Sequence, residues 1–580
     1  MRLSGTKTGA INQYRGLGNQ LWDLAGNRPS LDLPFADNKS LVDATTGANL
    51  VDFTRASSGT YVDSEGVIRT ATTNLLLRSE DLTVSPWAKS APVTVTADNS
   101  QGQPFSGPQV FRIVFSTSNE TISQPITGIN GVDYTGSIYI KGTAGESIRF
   151  AGSNLAGASN VTLTGQWQRI VFTGVSSSTS LSLVLSTFAG VTARTIYLTA
   201  AQLEQSTTVG EYIPTTSTIN SAPRFDHDPT TGESLGLLVE EQRTNLLLRS
   251  EEFDITWMPT RASVTANSIV APDGALTADK LVEDTTTGLH DVRQQNAYTS
   301  GVTYTWSLFL KATGEDRNLQ VIVSTSAFPG NPQITVNSAT GQIISSTDIN
   351  ARVHVFPNGW YRASFSATAD ATGSDSIFVR LLNGTTASYE GDGTSGIYIW
   401  GAQLEAGSFP TSYIPTTTAA ATRTADVASI SGSNFSSWYR QDEGTVFAEA
   451  ERPDASRPNT VVASITDGSG LNRTEVRSSS VSNTNARCEI TALGLGQYSN
   501  ATLASDTAYK KIALAYAADN VNSAANGNAG ITDTVATIPV VSQLYIGNDI
   551  FLTDYRPGHV KRLTYWPTRL PNETLQTITQ

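Results

Sequence analysis

The sequence predicts an all-β protein built of tandem antiparallel sandwiches, and three observations carry that prediction. Apolar and polar residues alternate with a period of two in one segment after another. A long module recurs, with head and tail marked by the same letters in both copies. Charged residues make up only 15% of the 580-residue chain, and 47 glycines, with abundant Ser, Thr and Asn, supply the turn residues that many short strands need.

The alternation is clearest in Val302–Lys311, where Val302, Tyr304, Trp306, Leu308 and Leu310 fall on one face. Thr303, Thr305, Ser307 and Lys311 fall on the other, with Phe309 the apolar exception. That is a strand with one buried face. Val132–Lys141 has the same parity, with Val132, Tyr134, Ile138 and Ile140 inward. No segment shows sustained helical periodicity, although Thr574–Thr579 is compatible with a short terminal turn.

The repeat is literal. TNLLLRSE occurs at Thr73–Glu80 and at Thr244–Glu251. AQLE occurs at Ala201–Glu204 and Ala402–Glu405, followed by YIPTT at Tyr212–Thr216 and Tyr413–Thr417. The heads lie about 170 residues apart and the tails about 200, so the second copy holds about 30 extra residues between its strands. Trp167 in GQWQRIVF matches Trp360 in NGWYRASF. Insertions that leave strands recognisable belong in surface loops, and modules of this length with short strands suit a jelly roll. The predicted units are residues 1–50, a polar N-terminal segment; 51–222 and 223–425, two jelly rolls; and 426–580, a third all-β unit with neither repeat signature. The N-terminal segment has too few apolar anchors for a core of its own, so it is expected to order by docking.

Several long strings resemble virion structural proteins of tailed bacteriophages: FTRASSGTYVDSEGVI (Phe53–Ile68), PRFDHDPTTGESLGLLVEEQRTNLLLRSE (Pro223–Glu251), APDGALTADKLVED (Ala271–Asp284) and IYIWGAQLEAGSFPTSYIPT (Ile397–Thr416). These relatives are fibre, spike or appendage proteins with tandem carbohydrate-binding-module-like jelly rolls. The last unit, from ATRTADVASISGSNFSSWYRQDEGTVFAEA (Ala421–Ala450) to KRLTYWPTRLPNETLQ, is similar to concanavalin-A-like and laminin-G-like sandwiches. The resemblance implies a virion subunit, assembled in the host cytoplasm and exposed on the particle. It implies attachment to other virion proteins through the N-terminus, a homo-oligomer (a trimer being the usual fibre arrangement) and binding of host-surface glycans. A purely structural head or tail decoration, or a glycan-degrading spike, are the alternatives it leaves open. The first copy departs from the pattern: Thr199 stands where the second has Trp400, and the APDGALTADKL wording is missing.

The search for chemistry is mostly negative, and the expectation is a non-enzyme with no cofactor. There is no nucleophile elbow, zincin motif or P-loop. The net charge of −13 disfavours nucleic acid as a partner. No apolar run approaches a membrane span, and the N-terminus lacks a signal-peptide core, so a soluble chain is expected. Cys488 is the single cysteine and is expected to be buried and inert. The four histidines show no paired metal-ligand spacing. No metal is expected; Asp226 and Asp228 have calcium-loop spacing, but Leu237 occupies the position of a bidentate Glu, which favours an Asx-turn.

The repeated carboxylates Glu80/Glu251 and Glu204/Glu405 read as scaffold, as do Trp87/Trp257 and Trp167/Trp360. Glycan contacts are sought where the copies differ. Tyr389, Asp392 and Trp400 lie in SYEGDGTSGIYIW of the second copy, and Tyr555 and Arg556 lie in TDYRPGH of the last unit. Tyr14, Leu21 and Trp22 are the candidate particle-attachment anchors.

Overall fold

The computed structural model describes residues 18–580 apart from 106, 189–192, 315–316, 349, 452–460, 478–484, 503–508 and 550–557. The chain divides into two compact units. One contains Thr54–Ser58 and Thr70–Ala222; the other contains the segment up to Phe53, Gly59–Arg69 and Pro223–Gln580. Within both, strands pair antiparallel.

The first unit is the first jelly roll. One five-stranded sheet runs in the order Gln168–Val175, Asp133–Gly142, Arg194–Glu204, Phe111–Phe115, Thr94–Ala97. The facing sheet runs Ala158–Thr162, Ser147–Ser153, Ser180–Ser186, Thr121–Thr127, Ala88–Lys89. Alternate residues meet between the sheets, among them Tyr134, Ile138 and Ile140, as the alternation predicts.

The second unit holds the second roll and the C-terminal sandwich. In the roll, a six-stranded sheet (Ala262–Ile269, Ala278–Glu283, Gly396–Ala406, Thr303–Ala312, Tyr361–Thr368, Arg352–Val355) faces a seven-stranded one that includes Thr287–Tyr298 and Gly373–Leu382. Tyr304, Trp306, Leu308 and Leu310 enter the core between them. Phe309 faces the other way and packs with Phe356, Trp360, Trp400 and Tyr413 in a separate cluster. At this level the strand is bulged between Ser307 and Phe309 opposite Gly396–Ala406. Gly401 there has φ 64°, and a Cβ would lie 2.9 Å from the Phe309 ring. In the first roll Ala200 holds the matching left-handed conformation, φ 55°, at a cost of roughly 1–2 kcal/mol.

The sheets of the C-terminal sandwich take in strands from upstream of the expected 426–580. Its eight-stranded sheet begins with the hairpin Arg224–His227/Ser234–Val239, which bonds to Gly558–Trp566 and not to the second roll. Leu31–Leu33 also pairs with Gly558–Trp566, and Asp52–Thr54 edges the facing seven-stranded sheet. The N-terminal segment therefore docks on its own chain from Leu31 onward. Leu31, Leu33 and Phe35 enter the sandwich core, and between them Arg562 holds buried Asp32 in a fork at 2.9 and 2.6 Å, with Thr564 Oγ1 donating at 2.8 Å. Helix Gly18–Ala25 adds Leu21 and Ala25 to a small core with Phe447, Trp566 and Leu575. The terminal turn read at Thr574–Thr579 is a helix, Asn572–Ile578, on the same cluster.

The repeated letters form one hydrogen-bonded knot in each roll. The Asn245 amide donates to Ala402 O (3.0 Å) and Ile414 O (2.9 Å), and its oxygen accepts from Leu247 N and Leu404 N (both 3.1 Å). Asn74 donates to Ala201 O (3.0 Å) and Ile213 O (2.8 Å) and accepts from Leu76 N and Leu203 N (both 3.2 Å). The Gln202 and Gln403 oxygens accept from Ile213 N and Ile414 N. Trp87 and Trp257 donate to Arg78 O and Arg249 O, whose residues are left-handed in both copies. TNLLLRSE, AQLE and YIPTT thus recur together because each satisfies the others' buried polar groups.

Asn245→Ala leaves four backbone groups at the knot without these partners, and each unsatisfied buried group costs about 1–3 kcal/mol. The variant is expected to lose at least about 3 kcal/mol in urea unfolding. Wild-type stability in that variant would remove the knot from its central place.

Candidate binding cleft

In strand Tyr361–Thr368, Ala363 and Phe365 enter the core, so Arg362, Ser364 and Ser366 project from the opposite face. The neighbouring edge strand pairs Arg352 with Ser364 and His354 with Arg362, which sets Arg352 and His354 on that same face. These side chains form the floor of a cleft of 440 Å³. Its walls come from Thr60–Val62, from Asp226, His227 and Asp228 of the hairpin, from the 408–413 loop, and from Glu451 and His559 of the C-terminal sandwich. Tyr61 is the half-buried aromatic ring at the wall; Phe309, Phe409 and Tyr413 are buried.

Paired charges fix the walls. Fully buried Arg224 binds Asp426 at 2.5 Å, Glu240 at 2.7 Å and Thr60 O at 2.9 Å. Arg423 reaches Glu240 at 3.0 Å, and Ser412 N and Oγ each donate to Glu240 at 2.7 Å. Burial alone would raise the Glu240 pKa, but the two guanidiniums and the Ser412 bonds hold its carboxyl well below the usual range. Hairpin, loop and strand Thr60–Val62 are thereby locked in one arrangement.

His559 makes the second lock. Its Nδ1 meets Glu451 Oε2, and its Nε2 lies 2.8 Å from Asp226 Oδ2. Burial lowers the imidazole pKa, but Glu451 and Asp226 overcome it and push it up to about 10. Across the cleft, desolvation followed by the charges of Arg362 and Arg352 keeps His354 below its ordinary value.

Among the described residues Arg362, unlike Arg224 and Arg423, has no carboxylate within ion-pair distance. Its Nη2 donates to Ser307 Oγ at 3.0 Å and its Cζ lies 5.4 Å from the Phe309 ring centre. Its Nε is buried without a partner. Desolvation lowers its pKa, against the pull of Glu405, Glu240 and Tyr413.

The residues singled out from sequence are placed differently. Tyr389 is buried, donates to Glu283 at 2.6 Å, and lies under Arg317. Asp392 joins the same cluster through Arg317 at 3.3 Å and caps a turn by accepting from Thr394 N and Ser395 N, both 2.7 Å. Trp400 is fully buried elsewhere, with Nε1 donating to Thr277 at 3.1 Å. The Tyr389 hydroxyl and Trp400 Nε1 are thus taken up inside the roll, whereas the Asp392 side chain is exposed. Tyr555 and Arg556 lie outside the described residues, as does Tyr14. Leu21 is in a core, and Trp22 packs on it with Nε1 donating to Asp32 at 3.0 Å, so neither is a free anchor.

Asp228 accepts from Thr230 N and Thr231 N in the expected Asx-turn, whereas Asp226 binds His559 and Val62 N. Among the described residues no group of three or more His, Cys, Asp or Glu could hold a metal ion, and no helix is long and apolar enough to cross a membrane. Sequence reasoning does not single out Arg362, Arg352, His354 or the pairing of Asp226 with His559. The one available signal is that Arg362 follows Trp360 by two residues as Arg169 follows Trp167.

Stability falls with rising pH wherever the folded chain holds a proton that the unfolded chain has lost. The contribution of His559 is complete below its ordinary 6.5 and is lost as pH rises through about 10. Urea unfolding between pH 6 and 10.5 is expected to show falling wild-type stability, with a shallower fall in His559→Gln. Parallel curves would refute the lock.

No protein-family model matches the chain, and no curated protein matches it. Among solved structures, TmCBM61 in complex with β-1,4-galactotriose is 20% identical and covers 23% of this chain and 99% of its own, with a TM-score of 0.20. The tandem CBM22-1–CBM22-2 of Paenibacillus barcinonensis Xyn10C is 13% identical and covers 58% of this chain and 98% of its own, with a TM-score of 0.22. The CBM40 of Ruminococcus gnavus IT-sialidase, bound to α2,3 sialyllactose, is 14% identical over 24% of this chain and 83% of its own, with a TM-score of 0.21. At these identities the all-β, jelly-roll assignment stands on the strand pairing described above.

Proposed function

We propose that this chain is a non-enzymatic, glycan-binding subunit of a tailed-bacteriophage particle, and that the cleft of the second roll is its glycan site. The observation that carries the reading is the cleft itself. It is a preformed concavity whose floor offers a guanidinium, an imidazole and hydroxyls, beside the half-buried ring of Tyr61. Saccharides need that combination, because hydroxyls require fixed donors and acceptors while C–H faces stack on rings. The long strings that resemble phage appendage proteins support the virion placement, and trimeric assembly belongs to the same proposal. With Leu21 and Trp22 packed internally, attachment is assigned to other surfaces.

One observation favours a glycan-cleaving reading: of the four carboxylates that line the cleft, Asp226 and Glu451 meet at one imidazole. Both contact the same imidazole and favour its cation, however, and a glycosidase needs one carboxyl free to act as a neutral acid. That pairing suits a fixed wall better than turnover.

The test uses the full chain on immobilised host-surface polysaccharide. His354→Trp, which fills space above the floor, and Tyr61→Ala are each expected to weaken binding by at least about tenfold, the scale of one lost polar or stacking contact. Undiminished binding by both variants would place the glycan site elsewhere. Release of reducing ends that disappears in Glu451→Gln would replace the adhesin reading with the enzymatic one.

A further inference from the structure

One arginine arrangement with unpaired donors recurs at matching positions of both rolls. In the first roll, Arg169 Nη2 donates to Ser137 Oγ at 3.0 Å, its Cζ lies 5.6 Å from the Tyr139 ring centre, and its Nε is buried without a partner. In the second, Arg362 does the same with Ser307 at 3.0 Å and Phe309 at 5.4 Å, and its Nε is again buried and unpaired. The strand register is the same in both, Tyr139 opposite Arg169 and Phe309 opposite Arg362.

Among the described residues no carboxylate lies within ion-pair distance of either arginine, whereas Arg224, Arg317, Arg380, Arg423, Arg477 and Arg562 are all paired with one. A half-buried guanidinium without a counter-ion is costly, and nothing in the frame demands it. The serine occupies one hydrogen of Nη2, which leaves Nη1 and the second Nη2 hydrogen as a two-pronged donor edge. A planar carboxylate matches that edge.

We infer that Arg169 and Arg362 are twin carboxylate-binding sites, one in each jelly roll, and that the glycan recognised is an acidic one carrying uronate or sialate groups. The inference rests on the glycan-binding reading of the cleft and extends it to the first roll, where the same serine, arginine and ring recur. It also explains why this triad survives between copies that differ in their loops: the triad is repeated for ligand contact and the asparagine knot for folding.

The experiment measures binding of the full chain to matched oligosaccharide pairs: oligogalacturonate against its carboxyl-reduced form, and sialyllactose against lactose. The acidic member is expected to bind at least about tenfold more tightly, the discrimination of one bidentate charge-assisted pair. Arg362→Gln and Arg169→Gln should each remove one class of sites, and the double variant should lose the acid preference. Arg→Lys at either position, which keeps the charge but not the fork, should restore it only in part. Unchanged thermal unfolding of each variant excludes misfolding, and a variant that does unfold is replaced by its Lys counterpart. Equal binding of acidic and neutral members overturns this inference and leaves the glycan reading standing. Binding of neither member by wild type overturns both.

Discussion

A buried side-chain amide at the start of each jelly roll connects three pieces of chain that are far apart in sequence. Asn74 and Asn245 each donate two hydrogen bonds and accept two, joining the TN dipeptide to AQLE and to the YIPTT segment. In a protein interior such a group is tolerated only when all its valences are met. That condition fixes where the head of the module crosses its tail, and so which strand edges can pair. The left-handed arginine, the tryptophan that caps it and the glutamine that accepts from the YIPTT backbone are consequences of the same crossing.

The second roll adds a constraint of a different kind. Arg224, Arg423, Glu240 and Asp426 form a buried network in which each charge has an opposite partner, and Arg562 does the same for Asp32. Paired buried charges contribute little net stability compared with apolar packing, but breaking one pair is expensive, so they favour a single arrangement. Here the arrangement brings a hairpin and the N-terminal strand onto the C-terminal sheet and leaves a cleft over the roll's outer face. Against that background of paired charges, Arg362 has no carboxylate within ion-pair distance among the described residues.

Duplication has two meanings in this chain. Glu80 and Glu251 accept from Tyr212 and Tyr413, and Glu204 and Glu405 accept from Gln202 and Gln403, so these repeated carboxylates serve the scaffold. Arg169 and Arg362 are repeated as faithfully but keep unpaired donors. Letters alone do not separate the two cases, because both are simply recurring polar residues; only the hydrogen-bond partners do.

The sequence by itself determined the all-β class, the inward faces of Val132–Lys141 and Val302–Lys311, and the repeat, because alternation and literal recurrence are local properties of the letters. It also carried the Asx-turn at Asp228, where the partners lie two and three residues away. The tertiary structure decided everything that depended on distant partners. Tyr389 and Trp400 look like ligand aromatics in a segment peculiar to one copy, yet Glu283 and Thr277, more than a hundred residues away, take up their polar atoms. The hairpin at Arg224 reads as the opening of the second roll, but Gly558–Trp566, over three hundred residues later, supplies its pairing edge. Buried charge pairs, strand edges and clefts are made by residues remote in sequence, and their energies appear only once the chain has brought those residues together.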